Sequence, residues 1–162
     1  MDTMQILCTL RDVSSFLDVF PNDLLPQSIT RTTTVIVKPD RNTEGVSHRL
    51  GVHFRLKSSS AYYFGSYGIL PLVASIQAFN KSNCTTWDYN RRHLQGLTTD
   101  VCGKYCCIFA LYMDRGYTPQ NLISLFNACN AAADQQVERL FTAEFGAQMS
   151  RGGCGQCCRI CL

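Results

Sequence analysis

Residues 102–113, CGKYCCIFALYM, are apolar nearly all the way round a helical wheel, and this constrains the fold more than any other stretch. A helix without a polar face must be covered on every side, so it belongs in the middle of a domain. The chain has 162 residues, 46% hydrophobic and 17% charged, enough apolar material to build one such core. Asp100 stands before the helix as a candidate cap, and Gly116 follows its end.

The remaining segments supply what covers it. Thr33 to Lys38 (TTVIVK) is β-branched and reads as a strand; His48 to Leu56 and Ser60 to Phe64 read as a pair joined around Lys57-Ser58-Ser59. Ser14 to Phe20 looks like a short helix closed by Pro21, with Leu24 and Leu25 of PNDLLP packed inward. Leu70 to Phe79 has helical spacing, Thr118-Pro119 has the form of a helix start, and about Ala131 to Phe145 places Val137, Leu140, Phe141 and Phe145 on one helical face. The expected architecture is α+β, a small mixed sheet packed against a central helix, in a single domain over residues 1–147. A cysteine-rich tail, 148–162, follows and reads as an unstructured end.

Charge and cysteine usage exclude several classes. The net charge is +3 and the one dense basic cluster is Arg91-Arg92-His93, too little for nucleic acid to be the main partner. No run approaches the ~20 apolar residues of a membrane span. The first twenty residues carry Asp2, Arg11, Asp12 and Asp18 where a signal peptide needs an unbroken apolar centre. The expectation is an intracellular protein, nuclear or cytoplasmic and not secreted, whose ten cysteines are reduced thiols. The back-to-back CxxC pairs of the tail leave little chain to wrap four sulfurs round one ion, so neither a metal nor another cofactor is expected.

Cys102 is the residue best placed for chemistry. At the first turn of a helix, unpaired amides and the helix dipole favour a thiolate. Gln95, seven residues earlier on the incoming loop, can fold back so that its amide and the Cys102 backbone N–H become two donors for an oxyanion. The plain alternative is that Cys102, Cys106 and Cys107 are small hydrophobes in a buried helix and Gln95 a surface residue.

The stretch Gln95-Gly96 … Cys102-Gly103-x-x-Cys106-Cys107 resembles the active-site segment of the adenovirus protease (adenain) family, found in large DNA viruses and transposons and sharing a core with SUMO-type proteases. Upstream, SHRLGVHFRLKSSSAYYFGSYG resembles that family's strand pair, which opens on His-Trp and closes on an aromatic and an acid or amide before Ser-Tyr-Gly. The similarity covers roughly Phe20 to Phe126. It implies a cysteine endopeptidase with Cys102 as nucleophile, His48 as base and Gln95 as oxyanion donor, acting on a protein substrate such as a viral or transposon polyprotein. If viral, the protein would be virion-associated. The adenovirus enzyme also uses an activating peptide and DNA, so nucleic acid stays open as an accessory.

His48 is preferred to His53 because it lies seventeen residues before Gly65, the family's separation of base and acid, whereas His53 lies twelve before it. Strand parity agrees, grouping His48 with Leu50, Val52, Phe54 and Leu56. His53 reads as an exposed strand residue and His93 as a loop residue. Two positions depart from the family pattern. Gly65 offers no side chain where the acid stands, and Arg49 replaces the ring of Trp with a charge that repels imidazolium. These departures motivate a second reading, a pseudoprotease that binds peptide without cutting it.

Overall fold

A computed structural model describes residues 1–45, 48–126 and 129–151, with side chains through residue 147. The cysteines of the tail, Cys154, Cys157, Cys158 and Cys161, lie outside the described residues. The elements run α1 (Thr3–Leu10), β1 (Phe16–Pro21), β2 (Thr33–Lys38), β3 (Leu50–Arg55), β4 (Ser60–Gly65), α2 (Ala74–Asn83), β5 (Thr86–Tyr89), α3 (Cys102–Asp114), α4 (Pro119–Ser124) and α5 (Asn130–Arg151). The strands form one mixed sheet in the order β1-β2-β3-β4-β5; β1 is parallel to β2, β5 is parallel to β4, and the inner pairs are antiparallel.

Both faces of the sheet are covered, which is why β2 is buried at every position. On one side Val35, Val37, Val52, Phe54 and Tyr63 pack against Ile76 and Phe79 of α2. On the other, Ile36 and Phe64 meet α3, itself enclosed by α1, α4 and α5. Phe109 of α3 stacks on Phe64 at 4.9 Å. It sits so close to β3 that a Cβ at Gly51 would lie 2.6 Å from its ring, so the helix can seat only where the strand lacks a side chain.

Several local expectations give way. Phe16–Pro21 is an edge strand, not a helix: its backbone pairs with β2, and Asp114 at the end of α3 fixes Ser14 and Ser15 just ahead of it. Pro21 ends that strand at the sheet edge, where a missing N–H is tolerated. The helix expected from Leu70 begins at Ala74, because Pro71 holds the preceding residues out of the helical region, and Leu70 and Leu72 are exposed. Leu24 is exposed, and only Leu25 packs on the core. Asp100 does not cap α3; the cap position is Val101, with no side-chain bond. Thr118 caps α4 as expected, accepting from the Asn121 amide, with Pro119 at the first turn. α1 and β5 have no counterpart among the expected elements.

Candidate active site

Cys102 opens α3, buried to 5% exposure, with the uncapped first turn beneath its sulfur. Two backbone amides, of Gly103 and of Arg49 just ahead of β3, are hydrogen-bonded to the sulfur, and its own proton points to Asp100 Oδ1 at 3.8 Å. Burial and the Asp100 charge raise the thiol above its ordinary value, while the amides and the Arg49 guanidinium pull the other way.

The β3–β4 register pairs Leu50 with Gly65, and carried two residues outward it sets His48 opposite Tyr67. The two rings are stacked there, centroids 4.6 Å apart. Tyr67 is the hub of the site. Its hydroxyl accepts from Gln95 Nε2 at 3.5 Å, His93 stands edge-on to it at 5.5 Å, and the Cys102 charge reaches its phenol, which burial raises first and Cys102 second. His48 and Gln95 thus converge on one side chain, which lies within electrostatic reach of Cys102. Gly68 makes this turn workable: at φ +66° it passes so close to the Arg92 carbonyl that a Cβ would lie 2.5 Å from it.

Gln95 is buried and oriented, contrary to the surface alternative. Its Oε1 accepts from the Ser66 hydroxyl at 2.7 Å, and Nε2 gives one proton to the Thr99 carbonyl. Nε2 has two protons, so the long bond to Tyr67 is the one a substrate oxygen can replace. The loop beyond is tied to α5 by Asp134, which accepts from the Gly96 amide (2.9 Å), the Thr99 hydroxyl (2.8 Å) and the Tyr105 hydroxyl (3.1 Å). Arg92 anchors the loop's other end on the Ile123 and Phe126 carbonyls. Neither residue stands out in the sequence; Asp134 is one acid among helix-surface residues until the fold brings it to Gly96.

The base is weak. His48 is lowered from 6.5 to about 4, first by burial and then by Arg49, with Asp40 and Asp100 opposing. Gly65 lies diagonally across from it on the same face of the sheet and presents no side chain. Asn90 occupies the neighbourhood instead, but its amide is spent on the Gly65 backbone, accepting from the N–H at 2.9 Å and donating to the carbonyl at 2.7 Å.

His53 belongs elsewhere. It is 4% exposed rather than on the surface, because α3 covers the sheet face that parity alone marks as polar. Its Nδ1 is 2.8 Å from the Thr34 hydroxyl, and it borders a cavity of ≈250 Å³ with Arg55, Tyr62, Trp87, Asp88 and Gln120 that includes neither Cys102 nor Gln95. Among the described residues no group of His, Cys, Asp and Glu is arranged to hold a metal ion, and no helix is long and apolar enough to cross a membrane.

No family model and no curated protein matches this chain by sequence. Solved structures do match. The ASFV pS273R protease superposes with TM-score 0.61 at 13% identity, over 89% of this chain and 66% of that one. ChlaDub1 from Chlamydia trachomatis superposes with TM-score 0.54 at 15% identity, over 93% of this chain and 79% of that one. This chain therefore spans just under two thirds of the length of the ASFV protease. At these identities the likeness is one of backbone architecture, and it shows an α+β fold shared with these two proteins.

Proposed function

We propose that the protein is a cysteine endopeptidase of the adenain-like class, acting on a protein substrate of the viral or transposon polyprotein type. One observation carries the reading: His48 and Gln95 meet on Tyr67, within electrostatic reach of Cys102 at the first turn of α3, in a fold otherwise used by cysteine proteases. The Cys102 sulfur attacks the scissile carbonyl carbon, and the carbonyl oxygen takes up the negative charge. Gln95 Nε2 and the Cys102 N–H are the donors that hold it. As the C–N bond breaks, the departing amine takes a proton from His48 in its imidazolium form, leaving neutral imidazole; that imidazole takes a proton from water, whose hydroxide hydrolyses the thioester, and passes it to the sulfur to return the thiol.

The test is a peptide mixture digested by wild type and by Cys102→Ala and read by mass spectrometry. Cleavage by the first and none by the second is expected. Equal products from both would refute the assignment. A second reading, peptide binding without hydrolysis, is favoured by Gly65 and the lowered His48, and predicts tight binding of uncut peptide by wild type and Cys102→Ala alike.

A further inference from the structure

Arg49 is among the largest side chains to be wholly buried, at 0% exposure, and among the described residues no carboxylate pairs with it. Its Nη1 donates to the His48 carbonyl at 3.1 Å and its Nη2 to the Thr3 hydroxyl at a long 3.5 Å, while Nε has no partner. A buried cation held only by neutral oxygens carries a large desolvation cost, which an apolar side chain at the same place would avoid. An anion formed nearby would offset it.

Three titratable groups feel its charge: His48, Cys102 and Cys106. His48 is a base, which the guanidinium keeps neutral. Cys106 is sealed in the core, where burial raises its thiol well out of reach. Cys102 remains, and the Arg49 backbone amide is already bonded to its sulfur. The other groups facing that sulfur are Asp100 on the incoming loop, which opposes ionisation, and Tyr67 with its stacked His48 across the site, both neutral at working pH.

We propose that the buried Arg49 guanidinium is a fixed positive charge that offsets part of what burial and Asp100 cost the Cys102 thiolate, so that the thiolate forms without an imidazolium beside it. The S–H bond breaks and the proton leaves to water; His48, neutral at rest, takes up a proton from solvent when it acts later, on the departing amine. This rests on Cys102 being the reactive thiol. Arg49 acts as a positioning charge, felt by the sulfur through space.

The experiment uses the full chain and iodoacetamide, which forms an S–C bond as iodide leaves, with alkylation of the Cys102 peptide followed by mass spectrometry against pH. In Arg49→Met the midpoint should move up, slowing alkylation below the midpoint by about tenfold for each unit of displacement. Arg49→Lys, which keeps the charge, should recover most of the rate. His48→Asn should leave the midpoint where it is in wild type. An unmoved midpoint in folded Arg49→Met, or a shift in His48→Asn as large as that expected of Arg49→Met, overturns the proposal. If Arg49→Met does not fold, Arg49→Gln, which removes the charge and keeps an N–H donor, makes the same test, and an unmoved midpoint there overturns the proposal. No alkylation of Cys102 at any pH overturns this inference and the nucleophile together, whereas the expected shifts without any peptide cleavage overturn only the peptidase.

Discussion

Gly65→Asp should convert a weak site into a stronger one, and in a selective way. With His48 at about 4, only about one molecule in a thousand carries imidazolium at pH 7, so the general acid that must protonate a departing amine is nearly absent. An aspartate at 65 would lie diagonally across the β3–β4 pair from His48, on the same sheet face. A carboxylate at that range raises an imidazole by about 1–3 units, which enlarges the imidazolium fraction about 10- to 1000-fold. The steric cost is small. The new Cβ would meet the Leu50 Cδ2 methyl at 3.1 Å, the end of a movable side chain, and overpacking of that kind costs about 1 kcal/mol. The assay is kcat/KM at pH 7 on a peptide amide and on an activated ester of the same acyl group, with the His48 titration followed by NMR. Amide cleavage should rise by the factor that the His48 shift dictates, and ester cleavage, whose leaving group needs no proton, should stay within about threefold. A raised His48 with unchanged amide cleavage, or an equal rise for both substrates, would refute the reasoning.

Two further outcomes follow from the fold around the site. His53 is lowered from 6.5 to about 4, first by burial and then by Arg55, so the unfolded chain takes up a proton that the folded one refuses. The stability is present above pH 6.5 and is lost as pH falls toward 4, by about 2 kcal/mol at pH 5; urea melts at both ends of that window should show a flatter pH dependence in His53→Gln than in wild type. Asp134→Ala removes the shared acceptor of Gly96, Thr99 and Tyr105, and should cost about 2–4 kcal/mol in urea. It should also lower peptide kcat/KM at temperatures where the variant is fully folded, since the Gln95 loop loses its tether.

Much of this was legible before any coordinates. The all-round apolar run 102–113 required a central helix, the β-branched and alternating segments gave β2, β3 and β4, and the resemblance grouped Gln95, Cys102 and His48 as candidate residues. These signals are local or periodic, and a single chain displays them directly. What misled was also local: Phe16–Pro21 has no strand periodicity of its own and becomes a strand because β2 offers it an edge, and His53 looks exposed until α3 is laid over it.

The sequence by itself singled out the candidate residues Cys102, His48 and Gln95 and, through the resemblance, marked Gly65 and Arg49 as departures. Tertiary structure alone decided what those breaks mean. It placed Tyr67 between His48 and Gln95, tied the Gln95 loop to Asp134 across 38 positions of chain, and buried the Arg49 charge within electrostatic reach of the Cys102 sulfur with no carboxylate to meet it among the described residues. The physical reason is that desolvation and through-space charge depend on distances between segments remote in sequence, and only the packed chain sets those distances.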